Sequence, residues 1–513
     1  MSKERIIEIL EKHPAGLSIS SIAELSGLHR NTVARIIEEM EKSNEVEMKN
    51  IGKAKVYFLK KYSGIHFSIH NGYHGTNISL GLGISDLADG YEAAISAAKQ
   101  AAMQSSRGEQ PTFSIVFVSS KYNPQIQRVV LGLNKILGKD WIGCTTDRNL
   151  NSVIGYSDGT IHVLSIDSTH LHFGVGVSEN YRKNPREEGK KAVKEAIENC
   201  PVEKSRFATA QFIKSTKKDF SEIVKNPPYF ILTLIGGTYY INKNIVPGME
   251  DEFLEGIIDS VGPFIPIIGG SSSSDFEKIM NYEGENYVFA NGNYYKDGAV
   301  VCFVVSDLYF SFGLSHGYIP TEKNGIITKV STDGKTIEEI NNKPAIDEYC
   351  RLIGIEKGEF MKNPFFYTVT MPICTLDHAG NIYPRVSPPL TLNPEEKRLT
   401  GSIKLLDNTF FVIGKYDEEK TINSTYNAIK EARKGYEDKN IVLVLNFNCC
   451  VRRFLMRDKI KDEIENVLKI MPKNSLLFGM TTTGEIGLKS DQRVRYNNIT
   501  STCLLLFDKL KIE

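Results

Sequence analysis

The stretch FGMTTTGEIGLKSDQRVRYNNITSTCLLLF (residues 478–507) places a glycine and a cluster of hydroxyl side chains directly after a short apolar run. Two earlier stretches share this arrangement: WIGCTTDRNLNSVIGYSDGTIHVLSI (141–166) and IPIIGGSSSSDFEKIMNYEGENYVFANGNYYKDGAVVCFVV (265–305). Each follows an apolar strand pattern and a helical pattern, so the chain alternates strand, helix and strand three times. This alternation predicts a repeat-built α/β architecture in which helices cover mixed sheets.

The three clusters also predict where a ligand binds. In open α/β sheets, ligands lie at the carboxyl ends of strands, where glycine lets the backbone approach closely and Ser or Thr hydroxyls make adaptable hydrogen bonds. A cluster of Gly, Ser and Thr is also the ordinary composition of a turn. Both interpretations stay open for each cluster taken alone, and recurrence at the same place strengthens the binding interpretation.

Composition argues against several function classes. Sixty-two basic side chains balance sixty-two acidic ones, so no overall field attracts nucleic acid or a membrane, and any DNA binding has to be local. The longest apolar runs fall well short of the roughly 20 residues that span a bilayer. Acidic residues throughout the N-terminal segment do not fit a signal or transit peptide. The eight cysteines form no CxxC pair, which predicts reduced thiols, a cytoplasmic location and no metal or cofactor.

The apolar patterns of residues 1–62 predict a separate domain of three helices and a β-hairpin. This segment resembles a winged helix-turn-helix domain. In that family the third helix enters the DNA major groove by its N-terminal end, while the wing contacts phosphates. Carried over by position, the groove-facing candidates are His29, Arg30, Asn31, Thr32 and Arg35, and the wing candidates are Lys49, Lys53 and Lys55.

The charge of this N-terminal domain is modest. Eight Lys and three Arg against nine acidic residues leave a net charge of +2 over residues 1–62. Because phosphate contacts supply much of the affinity for DNA, we expect a homodimer that reads two half-sites. The alternative is a winged helix that serves only dimer or protein contacts.

The rest of the chain, roughly residues 65–510, resembles the FIST sensory family. NFNCCVRRFLM is similar to the family's Phe-x-Cys-x-x-Arg stretch, and FGMTTTGEIG is similar to its Gly, Thr and Gly-Glu-Ile pattern. GGSSSSD and VFANGNYYKDGAV match the N-terminal part, whereas GCTTDRNL lacks the Gly-Glu pair and Asn497 stands where the family often has His. The resemblance implies a FIST N-terminal domain at 65–320 and a FIST C-terminal domain at 321–513.

This resemblance implies a sensor of small molecules, with amino acids as one ligand class, joined to a signalling output. We therefore predict a one-component transcription regulator with a winged-helix output and a FIST input. The predicted ligand contacts in the first two clusters are Cys144, Thr145, Gly270, Ser271, Ser272, Asp275 and Asn291.

The third cluster predicts a ligand chemistry. An α-amino acid needs a planar cation for its carboxylate, an anion for its ammonium group and several neutral hydrogen-bonding groups. Loops at neighbouring strand ends converge, and this part of the chain offers Arg452 and Glu485 together with Asn448, Thr481, Thr482 and Asn498. The alternative is that Arg452 and Glu485 pair with each other as a structural ion pair.

Few motifs point to a catalytic function. HExxH, GxxxxGK[ST] and GxGxxG are absent from the sequence, and GYSDG (155–159), which matches GxSxG by letters, stands in a Gly-, Asn- and Asp-rich turn segment, so we expect no enzyme. His70 and His74 have helical spacing but lie in a Gly- and Asn-containing loop, which favours ordinary surface histidines over metal ligands. Cys449 and Cys450 stand beside Arg452 and Arg453, and neighbouring cations lower the pKa of a thiol. A Cys-dependent enzyme is therefore the alternative function.

Overall fold

The structure, a computed structural model, describes residues 2–12, 16–51, 54–60, 72–106, 108–202, 227–385, 398–401, 403–489 and 493–511. The N-terminal part contains α1 (Ser2–Lys12), α2 (Ile19–Ser26), α3 (Arg30–Lys42), β1 (Val46–Ile51) and β2 (Ala54–Leu59). Apolar residues at helical spacing meet in one core, where Ile6, Ile22 and Val33 are buried together. The two strands pair antiparallel, and an isolated bridge from Leu17 to Tyr57 ties the helices to the wing. The predicted winged helix-turn-helix is confirmed.

The remaining chain builds three α/β units and one inserted β-domain. The first unit contains β3 (Tyr73–His74), β4 (Ser79–Ser85), α4 (Gly90–Ser106), β5 (Phe113–Ser119), α5 (Ile126–Leu137), β6 (Trp141–Thr146), β7 (Asn149–Asn151), β8 (Gly155–Ser157) and β9 (Ile161–Asp167). The second contains β10 (Leu171–Ser178), α6 (Pro185–Asn199), β11 (Tyr229–Ile235), β12 (Tyr239–Ile241), β13 (Asn244–Val246), α7 (Glu250–Val261), β14 (Ile267–Ser271), α8 (Phe276–Met280), β15 (Val288–Ala290), β16 (Asn293–Tyr295) and β17 (Ala299–Ser306).

The third unit begins with β18 (Leu308–His316) and is then interrupted by the inserted domain. The insertion contains β19 (Tyr318–Val330), β20 (Thr336–Ile340), β21 (Lys343–Pro344), α9 (Ala345–Ile353), α10 (Lys357–Phe360), α11 (Pro364–Thr370), β22 (Ile373–Leu376), β23 (Ile382–Pro384), β24 (Leu399–Thr400) and β25 (Thr409–Tyr416). The unit resumes with α12 (Glu418–Ile422), α13 (Ser424–Arg433), β26 (Ile441–Cys449), α14 (Val451–Met456), α15 (Ile460–Ile470), β27 (Leu476–Thr482), β28 (Glu485–Gly487), β29 (Arg495–Asn497) and β30 (Thr500–Leu510).

The three units share one strand order. Each unit has four main strands: β4, β5, β6 and β9 in the first, β10, β11, β14 and β17 in the second, and β18, β26, β27 and β30 in the third. In each unit the first main strand lies antiparallel to the fourth, the fourth lies antiparallel to the second, and the second lies parallel to the third. The short hairpin after each third strand pairs with the third strand of another unit: β7 with β27, β15 with β6, and β28 with β14. The sheets are therefore linked in a closed cycle, and strands from both sides of residue 320 build the same sheets. The predicted mixed α/β class is confirmed, while an origin in sequence repetition stays a prediction.

The three sheets face one another across a shared apolar core. Phe117 of the first sheet stacks on Phe478 of the third with ring centroids 5.0 Å apart, and Leu232 of the second sheet belongs to the same cluster. Helices cover the outer faces, and each first strand packs glycine against a helix. A Cβ at Gly83 would lie 1.7 Å from the carbonyl oxygen of Ala97, which explains the Ala-rich face of α4. The equivalent pairs are Gly176 with Ala192 and Gly313 with Ala428.

Within the described ranges, every helix is too short or too polar to cross a bilayer.

Candidate functional site

The closed cycle of sheets brings the three hydroxyl clusters together. Thr146 Oγ1 donates to the carbonyl oxygen of Thr481 at 2.7 Å, and the backbone N–H of Ser273 donates to the carbonyl oxygen of Thr145 at 3.0 Å. Thr483 Oγ1 completes the set by donating to the Ser272 carbonyl oxygen at 3.3 Å. Each cluster lies at the end of the third main strand of its unit. Because the hairpin that follows pairs with the third main strand of another unit, the three strand ends, and with them the three clusters, lie next to one another. Most residues of these clusters are buried, and their hydroxyls are hydrogen-bonded to backbone carbonyls and polar side chains within the protein. We call them the floor, because they close the base of the region where the three sheets meet.

A cleft of about 610 Å³ opens beside this floor, and all three units contribute to it. Its lining residues are Arg148 from the first unit, Phe276 and Glu277 from the second, and Arg453, Phe454, Arg457, Asp458, Ile460 and Lys461 from the third. Arg148 lies two residues after β6, Phe276 and Glu277 begin α8, and the others surround the junction of α14 and α15. We call this feature the basic cleft.

Asp147 connects the floor to the basic cleft. It is buried, its Oδ1 accepts from the backbone N–H of Phe276 at 3.0 Å, and its Oδ2 lies 3.6 Å from Nη1 of Arg453. Burial raises the pKa of the Asp147 carboxyl group above its ordinary value, although this hydrogen bond and the fields of Arg453 and Arg148 act in the opposite direction. One carboxylate thus holds both α8 and the half-exposed Arg453 at the edge of the cleft.

The cations of the basic cleft are poorly matched by protein anions. Arg453 has only the long contact to Asp147, and within the described part of the chain Arg148, Arg457 and Lys461 make no salt bridge. Arg148 Nε is in addition buried without a hydrogen-bond partner among those residues. The neighbouring Lys459, by contrast, pairs with Glu418 at 2.5 Å and lies outside the lining. The cleft is therefore a positive cavity with unused hydrogen-bond donors, as an anion-binding site requires.

The structure does not support a ligand-binding role for Arg452. Its guanidinium is 1% exposed and pairs with Glu463, with Nη2 and Oε1 2.6 Å apart; it also donates to the carbonyl oxygen of Thr421 at 2.6 Å and to Asn448. The side chain faces inward from α14 toward α15, because the helix turns by about 100° at each residue and adjacent arginines point in different directions. The arginine that lines the cleft is therefore Arg453.

The carboxyl group of Glu485 is also hydrogen-bonded within the protein. Its carboxyl group is buried and accepts from Thr482 Oγ1 at 2.7 Å, from Thr500 Oγ1 at 2.8 Å and from the Thr500 backbone N–H at 3.0 Å. Burial, reinforced by the nearby Cys449 thiol, raises the pKa of Glu485 well above its ordinary value. Arg452 and Glu485 neither line one ligand site together nor form the alternative ion pair with each other. Arg452 pairs instead with Glu463 of α15.

The other predicted ligand contacts have structural partners. Asn448 donates to Tyr156 OH at 2.5 Å inside the Arg452 network, and Asn498 donates to the Thr483 carbonyl oxygen at 3.3 Å. Asp275 caps α8 through its contact with the Glu277 backbone N–H at 2.9 Å. The buried contacts are Cys144, Thr145, Gly270, Ser271, Ser272, Thr481 and Thr482. Asn291 occupies the β15–β16 turn with φ of 52° and borders a separate cleft of about 410 Å³.

The electrostatics of Cys449 do not favour the alternative function, a Cys-dependent enzyme. Cys449 and Cys450 are both buried, and burial with the hydrogen bond to Cys450 raises the pKa of the Cys449 thiol well above its ordinary value. A nucleophilic thiolate needs the opposite shift. No cluster of three or more His, Cys, Asp or Glu side chains suited to a metal occurs among the described residues. His74 is exposed and lies 3.4 Å from Ser79 Oγ through its Nδ1, while His70 is outside the described residues.

Most of the predicted DNA-contacting residues at the start of α3 are exposed. His29 precedes α3 and caps it, with its Nδ1 accepting from the Asn31 backbone N–H at 3.3 Å. Arg30, Asn31 and Arg35 are exposed, and Thr32 is half-buried. On the wing, Lys55 is exposed on β2 and Lys49 lies on β1, while Lys53 lies outside the described residues. The apolar face of α3 is packed inward, so the opposite face is available to DNA.

The fold defines a class: a winged helix-turn-helix joined to a mixed α/β region that carries a basic cleft. Family models agree with this class. The FIST N domain matches residues 112–343, the FIST C domain matches residues 345–488, and the IclR helix-turn-helix domain matches residues 5–47. The chain belongs to the FIST family and carries an IclR-type helix-turn-helix domain at its N-terminus.

Solved structures give only distant likenesses. Cyanuric acid hydrolase from A. caulinodans shares 9% identity at a TM-score of 0.24, with coverage of 49% of this chain and 73% of that chain. Phosphoribosylformylglycinamidine synthase II from Thermotoga maritima shares 10% identity at a TM-score of 0.20, with coverage of 85% and 74%. Scores this low carry no argument about fold or activity. No curated protein matches the chain.

Proposed function

We propose that this protein is a cytoplasmic one-component transcription regulator that binds a small anionic metabolite in the basic cleft and changes its DNA affinity in response. The observation that carries the proposal is the convergence of Arg148, Arg453 and Arg457 at the junction of three sheets. A positive cavity with free donors has the composition of a binding site for a negatively charged ligand. The winged helix supplies the output.

An α-amino acid is one ligand class that this geometry accommodates. Its carboxylate would meet Arg453 or Arg148, and its ammonium group would meet Glu277 or Asp458, all of which line the basic cleft. The charged partners predicted from sequence are thereby replaced by residues that are exposed to the cavity. The aromatic side chains of Phe276 and Phe454 would contact the ligand's apolar part.

Regulation requires that the ligand bind the DNA-competent and DNA-incompetent states with different affinity. Native mass spectrometry of the full chain with cell extract should identify a co-purifying metabolite. That metabolite should then shift the affinity for a selected DNA site by a coupling free energy of about 1–3 kcal/mol. Arg453→Gln should abolish the shift, and Lys459→Gln should preserve it. Equal DNA affinities with and without a bound metabolite would overturn the regulatory proposal.

The winged helix should bind DNA through α3. Arg30→Ala and Arg35→Ala should each weaken specific binding by about 1–3 kcal/mol, because each removes a side chain placed to contact base edges. Gel-shift titrations of the full chain against a selected site measure the effect, and footprinting should show two half-sites if the protein binds as a homodimer.

Lys99→Ala is a suitable control for these variants, since it removes one exposed cation from α4. Unchanged binding by the Arg30→Ala, Arg35→Ala double variant would favour a winged helix that serves protein contacts only.

A further inference from the structure

We infer that the basic cleft binds a phosphate monoester, a doubly charged anionic group, carried on an apolar or aromatic body. This inference rests on the proposed function, because it names the ligand class of the same cleft. Charge is the starting point: four cations, Arg148, Arg453, Arg457 and Lys461, face two carboxylates, Glu277 and Asp458. A zwitterionic amino acid brings no net charge, whereas a phosphate monoester brings about −1.5 to −2 at pH 7.

Carboxylates behind the lining do not remove this surplus. Asp147 lies 3.6 Å from Arg453 and is also within the field of Arg148, and counting it as fully ionised still leaves one unmatched cation. Asp158 acts on Arg148 from a distance, but its own ion-pair partner is Lys121 at 3.4 Å. The positive charge is therefore concentrated on the side of the cleft formed by Arg148 and the α14–α15 junction.

The number and type of donors also favour phosphate. Guanidinium groups present paired N–H donors that fit phosphate oxygens, and a phosphate monoester offers three such oxygens. A single carboxylate has only two oxygens in one plane, so a phosphate monoester matches more of the donors of three arginines and a lysine. The Nε of Arg148, whose side chain lines the cleft, is buried without a hydrogen-bond partner among the described residues, which leaves this guanidinium with unused bonding capacity beside the cleft.

The basic cleft is also lined by two aromatic side chains. Phe454 packs edge-on against Phe365 with ring centroids 4.9 Å apart, and Phe365 contacts Phe276 in the same manner at 6.3 Å. Phe276 and Phe454 line the cavity and are only half-buried. A ligand with its phosphate on the arginines would therefore place an apolar or aromatic group against these two rings.

Arg457 offers a variant that separates binding from stability. Its backbone has φ of 50° and ψ of −125°, a conformation that is strained for an L-residue and ordinary for glycine. Arg457→Gly should therefore keep or increase stability while it removes one cation from the cleft. Lys459→Gln is the matched control, since Lys459 belongs to the same turn, Arg457–Lys459, but pairs with Glu418.

Calorimetry on the full chain with four probes tests the inference. Phenyl phosphate, benzoate and L-phenylalanine share an aromatic ring but carry a phosphate, a carboxylate and a zwitterionic group, respectively. The fourth probe, inorganic phosphate, measures binding of the phosphate group alone. We expect phenyl phosphate to bind at least about tenfold more tightly than benzoate or L-phenylalanine, with inorganic phosphate between them. Arg453→Gln and Arg457→Gly should each weaken its binding about tenfold, which is about 1.4 kcal/mol, and Lys459→Gln should leave it unchanged.

The outcomes are distinguishable. Equal or tighter binding of L-phenylalanine, or affinity for phenyl phosphate that survives both cleft variants, would overturn the phosphate assignment. A dicarboxylate probe, phenylsuccinate, that binds as tightly as phenyl phosphate would also overturn it and identify a site for double charge in general. Phenyl phosphate that binds in the cleft without altering DNA affinity would leave this inference standing and count against the regulatory coupling of phosphate ligands.

Discussion

Glu463→Gln is expected to lower the free energy of unfolding by about 3–5 kcal/mol. Arg452 and Glu463 are 1% and 0% exposed, and their Nη2 and Oε1 atoms lie 2.6 Å apart. Glu463 also accepts from Tyr156 OH at 2.8 Å and from Thr425 Oγ1 at 2.5 Å. Replacement of Glu463 by glutamine removes the counter-charge of the Arg452 guanidinium. Because a guanidinium does not lose its proton in proteins, an unpaired positive charge then remains in a desolvated site.

Urea denaturation followed by circular dichroism measures this effect. Arg453→Gln serves as the matched control, because it changes the adjacent arginine, whose side chain is 31% exposed and whose carboxylate partner is 3.6 Å away. We expect a change within about 1 kcal/mol for that variant. Replacing both buried partners, as Arg452→Met with Glu463→Leu, should cost less than the sum of the two single changes. A Glu463→Gln protein as stable as the wild type would contradict the assignment of a structural ion pair.

The second large effect concerns pH and His316. The imidazole is largely enclosed, its Nε2 donates to the carbonyl oxygen of Ile382 at 2.7 Å, and its Nδ1 accepts from the Tyr318 backbone N–H at 3.2 Å. Only the neutral ring can use both nitrogens in this way. Burial, with the field of Lys489, lowers the pKa of His316 to about 4.

The sign of the pH dependence follows from the two states. The unfolded chain takes up a proton near the ordinary histidine pKa of about 6.5, whereas the folded chain does so only near 4. The contribution to stability is complete above about pH 6.5, falls as the pH drops toward 4, and levels off below that. The total loss should be about 3 kcal/mol, since the two pKa values differ by about 2.5 and each unit corresponds to about 1.4 kcal/mol.

Comparison of wild type with His316→Gln isolates this contribution. Burial raises the pKa of Asp251 to about 7, which increases stability as the pH falls and would obscure the histidine effect in a single curve. The difference in unfolding free energy between the two proteins should shrink between pH 7 and 4.5. A constant difference for His316→Gln would show that the histidine titrates alike in the folded and unfolded chain.

Local patterns were enough to predict the winged helix and the mixed α/β class. The apolar spacing of Ile6, Ile22 and Val33 determines which helix faces are buried, and apolar strands that alternate with helices specify the α/β class. The three hydroxyl clusters also predicted strand ends correctly, since Thr146, Ser271 and Thr482 each end a strand. These features depend on neighbours along the chain, so periodicity and turn composition reveal them.

The residues of the basic cleft could not be chosen in the same way. VRRFLMRDKIK (451–461) is visibly basic, but its sequence does not say which cation is buried. Arg452 faces Glu463 on the next helix, Arg453 faces the cavity, and Lys459 faces Glu418. The direction of each side chain depends on helix phase and on the partner that the next element supplies.

Sequence by itself therefore determined the domain types, the α/β class and the strand ends at which the hydroxyl clusters lie. The tertiary structure alone decided that these clusters form a buried floor, and that Arg148 joins Arg453 and Arg457 more than 300 residues away along the chain. That meeting depends on hairpins exchanged between sheets, with β7 on β27, β15 on β6 and β28 on β14. Pairing over such distances is selected by the packing of the whole core, which no local pattern encodes.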